Sequence, residues 1–275
     1  MAVEAHVAFL GPAGTFTHEA ARAMCGPGAR YDACSTIDAV FDAVRRTGAP
    51  TGVVPIENST EGSVTQALDC LLEGDVMIAG EMVLDITHCL ASHAPALSDV
   101  ERVYSHPQAL AQCRKWLGVN VGQARLVDSP STAAAVRHAA VDHLGAAIGS
   151  RFAAALHAVP VLHERIQDVE HNATRFALLA PHDAPRTGDD KTTIAFAVHD
   201  ERGALLRVLE IFDRNEINLS RIESRPSRQR AWDYIFVADL EGHRTDENVA
   251  RALTALAAKC PMLKKLGSYP RYRGP

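Results

Sequence analysis

Residues 52–64, GVVPIENSTEGSV, place an apolar run directly before five consecutive polar side chains. The run at 53–56 has the composition of a buried strand, because parallel strands with both faces covered read as continuous apolar segments. The glycine and serine at 62–63 then begin the next predicted helix. Ligands of α/β folds bind at the carboxyl ends of the strands. We therefore expect residues 57–60 to line a cleft, and a solvated loop that only caps the helix is the alternative.

The same alternation of strand and helix extends from Val7 to Ala180. Short apolar runs are separated by segments in which apolar residues recur every three or four positions, and this order is typical of parallel strands in an α/β unit. Residues 82–90 instead alternate at period two, so a strand there could cross from one lobe to another. The predicted strands lie at residues 7–10, 53–56, 102–105, 124–127, 146–150 and 176–180.

A second domain is predicted after a linker at 181–191, PHDAPRTGDDK, which combines two prolines, a glycine and several charges. From residue 192 onward the patterns give strand, helix, strand, strand, helix and strand, which is the ferredoxin-like order. Because one face and both edges of such a small sheet would stay open to solvent, we expect a dimer. The predicted strands lie at 192–198, 217–224, 232–240 and 263–268.

The composition of the chain excludes several classes of partner. With 275 residues and 47% hydrophobic content, the chain can bury a large core in one or two domains. A formal charge of −5 and the absence of a Lys/Arg run exclude nucleic acid as an expected partner. No run of about 18 apolar residues occurs, so no membrane span is expected. Six cysteines without a C-x-x-C pair and the lack of a signal sequence predict reduced thiols and a cytoplasmic protein.

Four segments concentrate hydrogen-bonding side chains at the ends of predicted strands. In the first, two glycines permit a tight turn before a helix that begins near Phe16, whose free N–H groups can receive an anion with help from Thr15. A structural turn with a helix cap is the alternative. The four segments are GPAGTFTHEAA (11–21), PIENSTEGS (55–63), SHPQALAQC (105–113) and HNATRF (171–176).

The fourth segment places Thr174 and Arg175 before the predicted strand at 176–180, where the guanidinium can bind a carboxylate through two parallel hydrogen bonds. A structural ion pair with a neighbouring acid is the alternative. Histidine is a common acid or base near neutral pH, but His18 and His106 each lie beside a presumed helix cap. We interpret both as helix-start or core histidines rather than as catalytic groups.

Taken in order, the motifs G-P-x-G-T-F, G-V-V-P-I-E-N-S-x-E-G, S-H-P-Q-A-L-x-Q-C and N-x-T-R-F resemble those of the bacterial prephenate dehydratase family. I-E-S-R-P at 222–226 resembles the ACT regulatory domain that this family carries. The resemblance covers about residues 6–180 and 191–270, essentially the whole chain. It also indicates a monofunctional enzyme, because no segment for a fused chorismate mutase precedes Val7.

The resemblance implies a two-lobed α/β catalytic domain of the periplasmic-binding-protein type II-like class at residues 1–180. Lobe one would comprise about 1–80 and 159–180, and lobe two about 81–158. The linker at 181–191 would lead to a ferredoxin-like α+β ACT domain at 192–275. The resemblance also implies a homodimer or tetramer.

The implied activity is that of a lyase of phenylalanine biosynthesis, which converts prephenate to phenylpyruvate with loss of carbon dioxide and of the ring hydroxyl. Neither a cofactor nor a metal is implied. Phenylalanine bound to the ACT domain would inhibit the enzyme. Arogenate dehydratase is an alternative, since arogenate differs only in carrying an amine where prephenate has a keto group. A non-catalytic amino-acid sensor and a solute-binding protein are further alternatives. An assay for phenylpyruvate would distinguish an active enzyme from both of them.

The expected catalytic residues are Thr174, whose role the resemblance implies, together with Glu57 and Asn58. Thr174 would donate a hydrogen bond to the departing oxygen, because the site needs a donor aimed where charge develops. Glu57 would act as a second acid if apolar surroundings kept it protonated. The remaining substrate-binding residues would be Thr15, Ser59, Thr60, Ser105, Gln112, Ser131, Thr132, Arg175 and Phe176.

The effector site implied in the C-terminal domain joins a helix start to a strand. Arg225 or the helix-start N–H groups would bind the phenylalanine carboxylate, and Glu223 would bind its ammonium. A plain dimerisation sheet with solvated charges is the alternative. The family usually has proline before the glycine of this loop, whereas this chain has Arg202. The predicted effector residues are Gly203, Ala204, Leu205, Asn218, Leu219, Glu223, Ser224 and Arg225.

Overall fold

The computed structural model describes residues 6–46, 51–226 and 234–274. The chain divides into two compact units. One unit consists of the described residues up to Val40 together with Val53–Val64 and Val83–Phe176. The other consists of the described parts of Phe41–Gly52, Thr65–Met82 and Ala177–Pro275. No helix within the described ranges combines the length and the apolar composition needed to cross a membrane.

The described elements up to residue 180 follow the predicted alternation of strands and helices. Strand β2 was not predicted, because its sequence RYDAC contains no apolar run and lies at a sheet edge. In chain order the elements are β1 (His6–Leu10), α1 (Phe16–Cys25), β2 (Arg30–Cys34), α2 (Ile37–Arg45), β3 (Thr51–Asn58), β4 (Gly62–Ser63), α3 (Thr65–Glu73), β5 (Met77–Asp85), β6 (Cys89–Ser92), a 3-10 helix (Leu97–Asp99), β7 (Arg102–Ser105), α4 (Pro107–Gln112), α5 (Arg114–Asn120), β8 (Arg125–Asp128), α6 (Thr132–Ala139), β9 (Gly145–Gly149), α7 (Arg151–Leu156), β10 (Val161–His163) and β11 (Ala173–Ala180).

These strands form two sheets, which confirms the two-lobed α/β prediction. The first sheet has the order β2-β1-β3-β11-β5, with β4 paired to β3, and the second has the order β10-β6-β9-β7-β8. The second sheet extends from residue 89 to residue 163, whereas the second lobe was predicted at about 81–158. The difference arises because the predicted strand at 82–90 is two strands, β5 and β6, that share one alternation.

Two chain segments connect the sheets and run side by side. The outgoing segment comprises residues 86–88 and the returning segment comprises residues 164–172. Ile86 N–H donates to the carbonyl of Asn172 at 2.7 Å, and Ile166 N–H donates to the carbonyl of His88 at 3.0 Å. These hydrogen bonds fix the backbone at the point where the chain passes between the lobes.

Small side chains bring α6 close to the second sheet. The helix sequence TAAAVRHA and the strand sequence GAAIG of β9 bury alanines against each other. A Cβ at Gly149 would lie 2.5 Å from a methyl carbon of Val136, so only glycine fits there. The close packing positions the first turn of α6 beyond the end of β9.

The C-terminal elements confirm the ferredoxin-like prediction. Their sheet has the order β13-β14-β12-β15, and the neighbouring strands are antiparallel. Trp232 and Asp233, at the start of a predicted strand, lie outside the described residues. The elements are β12 (Asp190–Ala197), α8 (Ala204–Arg214), β13 (Leu219–Pro226), β14 (Tyr234–Glu241), α9 (Glu247–Ala257) and β15 (Met262–Pro270).

Within the second unit, cations of this C-terminal sheet bind α3 near both of its ends. Lys264 Nζ donates to the carbonyl of Leu72 at 2.7 Å and also to that of Gly74, at the carboxyl end of the helix. Arg225 donates to the carbonyl of Thr65 at 3.5 Å, at the amino end of the helix, and to the carboxylate of Asp69 in its middle. A cation near the last carbonyl groups is favourable because the helix dipole is negative there.

Candidate active site

A cavity of about 270 Å³ lies within the first unit, at the carboxyl ends of β1, β3 and β7. This volume is just below the usual range of about 300–1,000 Å³ for ligand pockets. The sequence predicted seven of its lining residues, and they come from both lobes. These residues are Thr15, Asn58, Gln112, Ser131, Thr132, Thr174 and Phe176.

Asn58 lies at the end of β3 and connects the polar groups at this edge of the sheet. Its Oδ1 accepts hydrogen bonds from the backbone N–H groups of Thr60, at 2.9 Å, and Glu61, at 3.2 Å. Because a backbone N–H can only donate, these bonds fix which amide atom is oxygen. The Nδ2 group must therefore face β11, where it donates to Asn172 Oδ1 at 2.8 Å and to Thr174 Oγ1 at 2.9 Å.

The bond from Asn58 determines what the Thr174 hydroxyl can do. Thr174 is buried and lines the cavity. One lone pair of its oxygen accepts from Asn58, so the hydroxyl hydrogen is left to donate to another group. Thr174 therefore supplies an oriented donor within the cavity, and Asn58 determines its orientation.

Glu57 and Arg175 lie on the opposite face of the strands from these residues. Successive side chains of a strand alternate between faces, so Asn58, Thr174 and Phe176 cannot share a face with Glu57 and Arg175. Neither of the two lines the cavity, and they form an ion pair with 3.4 Å between Arg175 Nη1 and Glu57 Oε2. The apolar environment that the acid role of Glu57 required is not present, since its side chain is 35% exposed.

Ser59, Thr60 and Ser105 were also predicted to bind the substrate, but they do not line the cavity. Ser59 Oγ accepts from the backbone N–H of Ala173 at 2.9 Å, and Thr60 is exposed. Ser105 is fully buried and donates to the carbonyl of Ile148 at 2.9 Å, which connects β7 to β9. Their hydrogen bonds hold the strand ends that carry the cavity residues.

Two helices, one from each lobe, begin at the cavity. In α1 the Thr15 hydroxyl accepts from His18 N–H and donates to the carbonyl of Leu10, so its own hydrogen is used within the fold. In α6 the Ser131 hydroxyl accepts from Ala134 N–H. The first N–H groups of a helix have no partner inside the helix. Those of Phe16 and Thr17 in α1 and of Thr132 in α6 therefore remain for a ligand, and all three residues line the cavity.

The cavity lining has a simple charge composition. In the described part of the chain, no Lys, Arg, Asp or Glu lines it, and its titratable side chains are His88 and His106. His106 caps α4, and its Nδ1 accepts from Gln108 N–H at 3.3 Å. Helix N-termini, hydroxyl groups, side-chain amides and imidazoles are therefore the groups that can bind an anion here.

His88 is a cavity residue that the sequence reasoning missed. It is 3% exposed, and its Nε2 lies 2.9 Å from Gln112 Oε1. Burial lowers the pKa of His88, and the bond to Gln112 opposes this effect. The available signal was a polar residue inside the alternating run at 82–90, just before Cys89.

His18 is a core histidine, as the sequence analysis expected. Its ring stacks on Phe9 with 4.5 Å between centroids, and its Nδ1 accepts from Gly14 N–H at 3.1 Å. Burial and then the nearby Arg22 charge lower its pKa. The neutral ring therefore holds the turn that precedes α1.

The predicted effector residues divide into two groups. Gly203, Ala204 and Leu205 line a second cavity of about 280 Å³ at the start of α8. Asn218, Leu219, Glu223, Ser224 and Arg225 do not line it. Glu223 forms an ion pair with Arg221, and Arg225 forms one with Asp69 of α3. To bind an effector as predicted, Glu223 and Arg225 would each have to exchange these partners.

The fold and the cavity define a two-lobed α/β domain with a cavity between helix N-termini of both lobes, followed by a ferredoxin-like domain. The chain belongs to the prephenate dehydratase family. The profile of that family, described as prephenate dehydratase, matches residues 7–184, and the ACT domain profile matches residues 192–258.

Known proteins similar to this chain share most of its length. The bifunctional chorismate mutase/prephenate dehydratase of Aquifex aeolicus is 49% identical over 96% of this chain and 73% of its own length. A prephenate dehydratase from Arthrobacter aurescens, solved in complex with L-Phe, is 38% identical with a TM-score of 0.85 over 97% of this chain and 90% of that chain. GqqA, described as a novel type of quorum quenching acylase, is 29% identical with a TM-score of 0.85 over 98% of each chain.

Proposed function

We propose that this chain catalyses the decarboxylating dehydration of prephenate to phenylpyruvate, and that Thr174 assists the departure of the ring hydroxyl. The observation that carries the proposal is the hydrogen bond from Asn58 Nδ2 to Thr174 Oγ1, which leaves the threonine hydrogen to donate inside an anion-accepting cavity. Family membership supplies the reaction class.

The two carboxylates of prephenate are proposed to bind at the two helix N-termini. One would accept from the free N–H groups of α1, at Phe16 and Thr17, and the other from that of Thr132 in α6. Since α1 belongs to the first lobe and α6 to the second, a bound dianion would bridge them. This arrangement replaces the predicted contact with Arg175, which lies on the other strand face.

The chemical step breaks two bonds of the ring. The electrons of the bond to the carboxylate enter the ring as carbon dioxide leaves, and the electrons of the opposite carbon–oxygen bond depart with the hydroxyl oxygen. Thr174 would stabilise the charge that develops on that oxygen. The apolar lining, which includes Pro55 and Phe176, would replace water around the carboxylate that is lost.

The charge composition of the cavity favours prephenate over arogenate. Arogenate carries an ammonium group that prephenate lacks, and a buried cation needs an anionic partner. No described carboxylate lines the cavity. In a competition assay with equal concentrations of both substrates, we expect faster conversion of prephenate, and a preference for arogenate would contradict this assignment.

We propose that phenylalanine inhibits the enzyme through the ACT domain and that the second cavity, at the start of α8, contributes to its binding. The stacked pair Phe196 and Phe236, with 5.4 Å between ring centroids, lies at that end of the domain, and Phe236 lines the cavity. The signal would reach α3 through Arg225 and Lys264. The chain that enters α3 comes from β4, which is paired with Glu57 and Asn58 of β3.

We further propose a cytoplasmic homodimer or tetramer. The edge strand β13 and its neighbour β14 expose Ile222 and Tyr234 by 43% and 44%, which are apolar surfaces suited to a second copy. Light scattering of the purified protein would measure the assembly, and a monomer at micromolar concentration would contradict it.

The test of the proposed activity is formation of phenylpyruvate from prephenate by the purified protein. An acylase reaction, as described for GqqA, would need an activated nucleophile. Among the described cavity residues, no hydroxyl is hydrogen-bonded to an imidazole. We therefore expect phenylpyruvate from prephenate, and no turnover of prephenate would reject the proposal.

A further inference from the structure

The imidazole of His88 has one partnered and one unpartnered nitrogen. Its Nε2 lies 2.9 Å from Gln112 Oε1, and its Nδ1 is buried without a hydrogen bond to any described residue. The ring is held from two further directions. Phe16 packs against it edge to face at 5.9 Å, and the backbone N–H of His88 donates to Gln167 Oε1 at 3.0 Å.

The contact with Gln112 determines which nitrogen carries the hydrogen. An amide oxygen only accepts, so Nε2 must donate to it, and a neutral ring then leaves a lone pair on Nδ1. Burial, which lowers the pKa of His88, favours this neutral form. A buried acceptor without a partner is unusual in a folded protein, and an ordered water or a bound ligand would supply the missing donor.

The chemistry of the proposed substrate identifies the donor that can pair with this lone pair. At neutral pH the two carboxylates and the keto group of prephenate only accept hydrogen bonds, and the ring hydroxyl is its one donor. We infer that His88 Nδ1 accepts a hydrogen bond from the departing ring hydroxyl, and that Gln112, which also lines the cavity, holds the His88 ring for this contact. This inference rests on the proposed function.

The two hydrogen bonds at the ring hydroxyl have complementary roles. When the hydroxyl donates to His88, its lone pairs are free to accept from Thr174. As the carbon–oxygen bond breaks, the oxygen becomes negative and a poorer donor, so the bond to His88 weakens while the bond from Thr174 strengthens. His88 therefore contributes mainly to substrate binding, and its loss should raise KM more than it lowers kcat.

Two substitutions at His88 separate its nitrogens. His88→Gln retains an amide that can reach Gln112 but removes the atom at Nδ1, whereas His88→Asn can retain an acceptor near Nδ1. The loss of a neutral hydrogen bond corresponds to a rise in KM of about three- to tenfold. We expect that rise in His88→Gln, with kcat within about twofold of wild type, and a smaller rise in His88→Asn.

Phenylpyruvate provides the control for structural damage, because it lacks the ring hydroxyl. Its inhibition constant should be unchanged in His88→Gln. A double-mutant cycle tests the role of Gln112: Gln112→Ala should raise KM in the wild-type background and add little in the His88→Gln background. Nitrogen NMR of the wild-type histidine rings gives a reading that needs no variant, and Nδ1 of His88 should be unprotonated near neutral pH.

Four results would overturn the inference. In His88→Gln, these are a loss of kcat with unchanged KM, which would make His88 a proton donor, and equal weakening of the binding of prephenate and of phenylpyruvate. The others are additive effects of the His88 and Gln112 substitutions on KM, and a protonated His88 Nδ1 in the wild-type protein. If the wild-type protein forms no phenylpyruvate, the proposed function itself fails. That outcome is distinct from all four, which compare variants of an active enzyme or read the ring directly.

Discussion

At the residue scale, the amide of Asn58 fixes the geometry of the proposed site. Its oxygen is held by the backbone of the loop that follows β3, and its nitrogen reaches Thr174 on β11. We therefore propose Asn58 as a positioning residue, since it lines the cavity but its hydrogen bonds go to protein groups. This role differs from the direct catalytic role that the sequence analysis expected for it.

Asn58→Asp should reduce kcat by about 10- to 100-fold, because the carboxylate can accept from the loop but cannot donate to Thr174. Steady-state kinetics with prephenate measure the effect. Thr60→Val is the matched control, since it removes only the bond from the Thr60 hydroxyl to the other side of Asn58. Equal losses of kcat in both variants would show that the donation to Thr174 is not what matters.

The buried His18 side chain predicts that the stability of the fold depends on pH. Its pKa in the folded chain is lowered below the ordinary 6.5, so the unfolded chain binds the proton first as pH falls. Stability should therefore be fully present above about pH 6.5 and decline below it. His18→Gln, which keeps an acceptor for Gly14, should flatten the decline of Tm, while the exposed His143→Gln should not. Parallel declines in both variants would contradict the assignment.

The polar strand ends explain why several cavity residues could be predicted from sequence. Asn58 and Thr174 follow apolar runs, and that pattern is visible in one dimension. The face that each side chain occupies depends on sheet register, so Glu57 and Arg175 could not be separated from their neighbours. His88 could not be identified because a lone histidine in an alternating run is more often a core residue.

At the element scale, the first turns of α1 and α6 are proposed to bind the two carboxylates. The sequence indicated the start of α1 through two glycines and Thr15. It also named Ser131 and Thr132 as binding residues, although the approach of α6 to the cavity depends on its packing against β9. Such packing between distant segments does not appear in a local pattern.

Thr132→Pro tests the anion site of α6 directly. Proline is tolerated at the first helical position, and Ser131 has the extended conformation that a following proline requires. The substitution removes the N–H that would face a carboxylate and also the Thr132 hydroxyl, so KM should rise about tenfold while the melting temperature changes little. Thr132→Val, which loses only the hydroxyl, should raise KM less. Glu247→Pro makes the same change at the start of α9, away from the cavity, and should leave KM unchanged. A normal KM in Thr132→Pro would exclude this site.

Helix α3 is the element proposed to carry the effect of phenylalanine. Arg225→Ala removes the bond to Asp69, and coupling along such contacts changes by about 0.5–2 kcal/mol. We expect weaker maximal inhibition by phenylalanine with uninhibited kcat within about twofold of wild type, measured by titrating the effector at fixed prephenate. Arg221→Ala, whose side chain pairs with Glu223 on the same strand, is the control. Wild-type inhibition in Arg225→Ala would remove α3 from the regulatory account.

At the scale of the whole molecule, the order of elements was predictable, whereas the residues at which the chain passes from one sheet to the other were predicted only approximately. Alternating strands and helices followed by a β-α-β-β-α-β pattern specified a two-lobed α/β domain and a ferredoxin-like domain. The chain passes between the sheets at 86–88 and 164–172, a few residues after the predicted positions. The sequence did not show this because the apolar–polar alternation of β5 continues into β6, although the two strands belong to different sheets. Periodicity reports which residues are buried, whereas sheet membership depends on pairing between strands distant in sequence.

The central claim is that the Thr174 hydroxyl assists the departure of the ring hydroxyl. The most direct test is kcat for phenylpyruvate formation in Thr174→Ala and Thr174→Ser, with the melting temperature of each variant as the control for folding. Removing one such donor costs about 100- to 1,000-fold in kcat. We predict that loss in Thr174→Ala and substantial recovery in Thr174→Ser, which restores a hydroxyl for Asn58 to orient. Turnover within a few fold of wild type in a folded Thr174→Ala protein would contradict the account.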